Sequence, residues 1–157
     1  MELLLIRHAI AVDREAGLPD EKRPLTPKGR KRFREEVEGL ERLELRIDRL
    51  YTSPMVRAVE TAQLLADLVE DVRVTENLAR SPDPALLDEL EGACVAVVGH
   101  EPWLSELLCW LLTGETDAAA QLELKKGGIA WLEGPLEPGK MKLKAVLTPR
   151  VLRLLGE

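Results

Sequence analysis

Short apolar runs alternate along this sequence with longer stretches of helical periodicity, and that alternation leaves few folds open. Leu3–Ile6, Arg49–Thr52, Val72–Thr75, Cys94–Val98, Ile129–Glu133 and Lys142–Leu147 read as strands. Four consecutive apolar residues in the first run suit a strand buried on both faces, as in a parallel sheet covered by helices. Between the runs, Phe33, Val37 and Leu40 recur at helical spacing. So do Met55, Ala58, Val59, Ala62, Leu65, Ala66 and Val69. Thr26 before Pro27 and Ser53 before Pro54 each set a capping hydroxyl ahead of a proline at the first helical position. Further helices are predicted from Pro84 to Leu90 and from Pro102 to Leu112, the latter stopped by Gly114. The turn-rich "GPLEPGKM" joins the last two strands, so one sheet edge is expected to be antiparallel. The expectation is one α/β domain over residues 1–157, a three-layer α/β/α stack around a mostly parallel sheet.

Bulk properties narrow the function. A net charge of −6 argues against a nucleic-acid binder, which draws much of its free energy from neutralising phosphates. Aromatic residues at 3% leave little for base stacking. No run approaches the roughly 20 apolar residues of a membrane span, and no leader pattern opens the chain, so no membrane partner and a cytoplasmic location are expected. Cys94 and Cys109 sit in apolar runs as small hydrophobes, which fits a reduced compartment. The one basic cluster, "KGRKRFR" (Lys28 to Arg34), reads as a solvated helix face, the alternative being a docking surface for an acidic partner.

The chemistry lies in a coincidence of positions. Arg7 and His8 follow the first strand, Ser53 and Arg57 open the segment after the second, and His100 follows "CVAVVG". All fall at carboxyl ends of parallel strands, where residues distant in sequence converge on one crevice. Two arginines, the chain's two histidines and helix amino termini make a cationic, donor-rich pocket suited to a phosphoryl group. A histidine facing phosphorus can attack it if that nitrogen is unprotonated, a form nearby arginines favour, while the other nitrogen donates to a backbone carbonyl. The second histidine, protonated or donating, then stabilises charge on the transferring group.

Other chemistries fit poorly. Neither cysteine has an arginine six positions on, as a cysteine phosphatase requires. "GPLEPGKM" mimics a phosphate-binding P-loop but has Met141 in place of Ser or Thr and two prolines that remove backbone donors. The spacing of the histidines makes a poor metal set, and no G-x-S-x-G elbow is present. No metal or cofactor is expected.

Arg7-His8, Ser53-Pro54-Met55-Val56-Arg57 and Gly99-His100 together resemble the signature of the histidine phosphatase superfamily, also called phosphoglycerate-mutase-like. The resemblance spans roughly the first 135 residues. It implies that His8 is the phosphorylated nucleophile and that Arg7, Arg57 and His100 bind the phosphoryl group. The chain length, "RPLTPKG" (Arg23 to Gly29) and "KKGGIAWLE" resemble the SixA-type branch of small phosphohistidine phosphatases. Arg23 and Thr26 would then stand at the pocket edge.

Two departures from the wider family bear on substrate. Ala9 stands where many members carry glycine, and its methyl is expected to narrow the approach to the pocket. The region after the third strand, where mutases and many monoester phosphatases place a proton-donating glutamate, is short and offers only Glu76 and Asp83. An alkoxide needs general-acid help to leave, whereas a phosphorylated imidazole departs as neutral imidazole once its other nitrogen is protonated. The expectation is a hydrolase acting on phosphohistidine of a signalling or phosphotransfer protein, such as a histidine phosphotransfer domain. The alternatives are a small-molecule phosphomonoesterase or mutase of the same fold and, from another class, a phosphoryl-binding module without turnover.

Overall fold

The computed structural model describes all 157 residues. Its centre is a six-stranded sheet of order β3-β2-β4-β1-β5-β6, with β1 Glu2–Arg7, β2 Ile47–Thr52, β3 Val69–Val74, β4 Cys94–Gly99, β5 Ile129–Glu133 and β6 Lys142–Leu147. The first four strands are parallel, and β5 runs against both β1 and β6, giving the expected antiparallel edge. The helices are α1 Pro27–Glu41, α2 Val56–Leu64, α3 Pro84–Glu89, α4 Trp103–Thr113 and α5 Pro149–Gly156. None is long and apolar enough to cross a membrane.

Side-chain alternation along the central strands divides the interior in two. Leu4, Ile6, Leu50, Ala96 and Val98 face α1, α2 and α5, meeting Phe33, Leu40, Ala58 and Leu152. Leu3, Leu5, Tyr51, Val95 and Val97 face α3 and α4, meeting Leu86, Leu104, Leu107 and Leu111. Residues Leu3 to Ile6 have no exposed surface, as a doubly covered strand requires. The three-layer stack is therefore a direct outcome of period-two burial on a sheet whose right-handed crossovers change face as the strand order reverses.

Two local expectations are corrected, and one helix is added to those expected. Thr26 caps α1 by accepting from the Gly29 amide at 2.9 Å, but the matching Ser53-Pro54 pair does not start α2, which begins at Val56 after an extended Met55. The Ser53 hydroxyl accepts from the Met55 amide and meets His100 instead. The helical periodicity read through Val69 ends at Leu64: a 3-10 turn over Ala66–Leu68 follows, and Val69 opens β3 opposite Ile47. An apolar residue at the right helical spacing was thus the first residue of an edge strand. Finally, "TPRVLRLLGE" forms α5, which sequence periodicity did not single out, although Thr148 caps it ahead of Pro149 just as Thr26 caps α1. The helix lies tightly on α1 because Gly39 has no side chain: a Cβ there would collide with the Leu152 carbonyl.

Candidate active site

Hydrogen bonding just beyond the strand ends aligns the site. Arg7 stands opposite Gly99 and Thr52 opposite Val98 in the parallel ladders. One residue further, the His8 amide donates to the Gly99 carbonyl and the Ser53 amide to that of Val98, each at 3.1 Å. His8, Ser53 and His100 therefore leave three adjacent strands side by side. The ring centroids of His8 and His100 lie 5.2 Å apart. Thr61 on α2 braces the arrangement, accepting from the Ala9 amide and donating to the Arg57 carbonyl.

The His8 ring is held in one tautomer. Its Nδ1 lies 2.7 Å from the Ala9 carbonyl oxygen, which can only accept, so Nδ1 carries the proton and Nε2 the lone pair. Burial pulls its pKa down to about 3; the Ala9 bond opposes that, and the charges of Arg57, Arg7 and Lys126 add to it. Desolvation therefore does more than the arginines to keep the ring neutral. His100 is likewise pulled to about 3, first by burial and then by His8 and Arg57, so this ring is neutral and not protonated. Its Nε2 is 2.7 Å from the Ser53 hydroxyl, and Trp103 packs edge-on against it at the rim.

Arginines complete a cleft of about 220 Å³ lined by Arg7, His8, Arg23, Arg57, His100 and Lys126, with Asp13, Arg14 and Glu101 at its sides. Arg7 donates to the Leu124 carbonyl and approaches Glu123 at 3.7 Å. Arg57 donates to the Asp20 carbonyl at 2.7 Å and to its carboxylate at 3.2 Å. Against burial, Arg23 and Arg57 hold the Asp20 carboxyl below its ordinary range. These contacts leave Arg7 Nε, Arg57 Nε and His100 Nδ1 buried and without partners, three of five such side-chain atoms in the molecule. Each unpaired buried group costs about 1–3 kcal/mol, which an anion's oxygens offset on binding.

Arg7, His8, Arg57 and His100 are thus brought together, and Arg23 joins them at the edge, while Thr26 is spent on capping α1. Glu76 and Asp83 are not brought in. Glu76 lies exposed on a 3-10 turn, and Asp83 caps α3 through the Leu86 amide and pairs with Arg80 at 3.3 Å. Ala9 packs in the core below α1 and does not line the cleft, so its methyl narrows nothing there. Sequence reasoning passed over Asp20, Glu101 and Lys126. The available signal was "KKGG": the Gly127 amide donates to both the Arg7 and His8 carbonyls at 3.1 Å, which sets Lys126 beside the histidines. Glu101 follows His100 directly, and its carboxylate accepts from the Ser105 and Leu124 amides; burial raises its pKa against those bonds.

Residues 3–80 match the model of the histidine phosphatase superfamily, branch 1. An uncharacterized protein of Picosynechococcus sp. is 38% identical over 141 residues, covering 84% of each chain. The structure of the protein histidine phosphatase SixA complexed with tungstate superposes with a TM-score of 0.78 at 27% identity, over 97% of this chain and 99% of that one. A phosphoserine phosphatase of Entamoeba histolytica, in complex with 3-phosphoglyceric acid, shares the fold at 21% identity and a TM-score of 0.72, over 92% and 95% of the two chains. With the family model matched across β1, β2 and the cleft residues they carry, the chain belongs to the histidine phosphatase superfamily.

Proposed function

We propose that the protein is a phosphatase that forms a phosphohistidine at His8 and that its substrate is phosphohistidine on a signalling or phosphotransfer protein. The observation that carries the phosphatase reading is the set of buried donors without partners, Arg7 Nε and Arg57 Nε, around a His8 ring whose lone pair is fixed on Nε2. That a SixA relative has been seen with tungstate, a tetrahedral oxyanion, fits such a cleft.

The steps balance without a metal or an added acid. The His8 Nε2 lone pair forms a bond to phosphorus as the substrate's P–N bond breaks. A substrate imidazole protonated on its other nitrogen leaves neutral. The His8 ring keeps its Nδ1 proton on the Ala9 carbonyl throughout, so it becomes a phosphoimidazolium and is itself a good leaving group when water attacks phosphorus. Arg7 and Arg57 take the equatorial oxygens, and His100 meets the charge that develops between them.

The substrate reading rests on how the acids are used. Asp20 is held by Arg23 and Arg57, and both oxygens of Glu101 accept backbone amides, so neither is poised to protonate an alkoxide. A monoester reading has one feature in its favour, the raised pKa of Glu101. The test is phosphate release, without added metal, from a phosphorylated histidine phosphotransfer domain and from a simple phosphate monoester, with His8→Ala as control. Preference for the P–N substrate, lost in the variant, is the expected result. Preference for the monoester, lost in Glu101→Gln, would overturn the substrate assignment and keep the nucleophile.

A further inference from the structure

Beside the reaction cleft runs a larger depression, about 660 Å³ against about 220 Å³. It lies between α1, the Lys125–Lys126 turn and the first turns of α5, and Arg7 and Lys126 line both spaces. In addition to Arg7, the residues Arg32, Lys125, Lys126, Arg150 and Arg153 give it five cations, and Glu36 is its one acidic residue. Arg32, Lys125, Lys126 and Arg150 pair with no carboxylate of the chain, although acidic residues outnumber basic ones 28 to 22. Arg153 has only Glu36, at 3.9 Å.

Glu36 does little to neutralise them. It is 4% exposed, and its Oε2 has no hydrogen-bond partner. The lysine turn passes directly over it because Gly127 has a φ of +85° and no side chain to strike the carboxyl. Burial pushes its pKa up to about 8, so near neutral pH the groove keeps its positive field.

We propose that this groove docks an acidic face of the phosphohistidine-bearing protein and so presents its phosphoryl group to His8, an inference that rests on the phosphoprotein reading above. Charge carries the choice of partner. The chain as a whole is at −6, so an acidic protein is repelled over most of its surface and attracted here, next to the nucleophile. The manner of attachment carries the choice of a protein over a small anion. The cleft arginines are anchored to backbone carbonyls, as one fixed phosphoryl group requires, whereas Arg32, Lys125 and Arg150 are exposed on three separate elements. Such a spread suits several contacts to an extended surface.

The test is the charge-reversed variant Arg32→Glu/Lys125→Glu/Arg150→Glu, with Arg32→Gln/Lys125→Gln/Arg150→Gln beside it should reversal impair folding. Each is assayed on a phosphorylated, acidic histidine phosphotransfer domain, on free phosphohistidine and on a monoester bearing a second anionic group, at low and high salt. For the phosphoprotein, kcat/KM is expected to fall roughly 10-fold or more and to lose most of its salt dependence, with free phosphohistidine turned over as before. An unchanged rate on the phosphoprotein, or an equal fall on all substrates, would overturn the docking role. A fall confined to the bis-anionic monoester would assign the groove to a small molecule and overturn it too. Should the unaltered protein hydrolyse free phosphohistidine but not the phosphoprotein, the phosphoprotein reading itself fails and the docking role with it.

Discussion

Arg57 and Arg150 are both arginines near the carboxyl ends of the strands, yet they sit in opposite surroundings. Arg57 is 4% exposed, and its terminal nitrogens are fixed by Asp20 while Nε stays free. Arg150 is exposed on the first turn of α5 and has no carboxylate partner in the chain. The same contrast separates Arg7, Arg23 and Arg57, anchored in the cleft, from Arg32, Lys125 and Arg150, exposed along the groove. A site that must stabilise a transition state holds its donors still and dry, because reorganisation would consume the gain. A surface that meets a partner gains from reach and an open field. The comparison therefore predicts that cleft substitutions change kcat on every substrate, and that groove substitutions change kcat/KM on a large one.

The largest effect is expected from His8→Ala, which removes the nitrogen proposed to bond phosphorus. Covalent phosphate labelling should vanish and turnover fall on the order of 10⁴-fold or more. Labelling retained in this variant would place the nucleophile elsewhere. Arg57→Ala comes next, with kcat expected to drop on the order of 10²-fold or more on the phosphoprotein and on free phosphohistidine alike. A loss seen only as a higher KM for the protein substrate would erase the distinction between cleft and groove.

How far these sites could be read from the letters follows the same division. The cleft was legible because each of these strands ends directly in the residues that meet there: Ile6 before Arg7-His8, Thr52 before Ser53, Val98-Gly99 before His100. A strand exit has a fixed address in a parallel sheet, so local order carries the tertiary contact. The groove has no such address. It exists because α5 closes on α1 through Gly39, and because Gly127 lets Lys125 and Lys126 ride over Glu36. "KGRKRFR" shows why composition alone misleads here: Arg30 pairs with Glu60, Phe33 enters the core, and Arg32 lines the groove. Ser53 teaches a similar lesson, since its hydroxyl could serve a helix start or a histidine and the fold gave it to His100.

The two regions should also differ in the sign of their pH dependence. His8 and His100 are pulled down to about 3 in the folded protein, from the 6.5 of a free imidazole side chain. Between those values the unfolded chain binds more protons, so their contribution is full above pH 6.5 and is lost as pH falls toward 3. Urea denaturation should show about 1 kcal/mol lost per histidine between pH 7 and 5.5, and less in His100→Asn. A flat profile in that window would mean that the cleft histidines are not desolvated.

Glu36 runs the other way and, as a single group, with a smaller effect. Burial pushes its pKa from the ordinary 4.5 up to about 8, so between these values it is the folded state that holds the extra proton. Its contribution is intact below pH 4.5, declines as pH rises and is spent above 8, at a limiting slope of about 1.4 kcal/mol per pH unit. Glu36→Gln keeps the shape and removes the ionisation, so the variant should gain on the unaltered protein as pH is raised from 6 to 8. Activity on free phosphohistidine should stay level, because the residue lines the groove and not the cleft. If Arg153, at 3.9 Å, instead closes into a tight ion pair with an ionised Glu36, the order reverses and Glu36→Gln loses stability near neutral pH. The groove would then carry one net positive charge fewer already at pH 6, and its attraction for an acidic partner would stay level to pH 8, whereas a Glu36 that ionises near 8 weakens that attraction over the same range; the salt dependence measured at pH 6 and pH 8 separates the two.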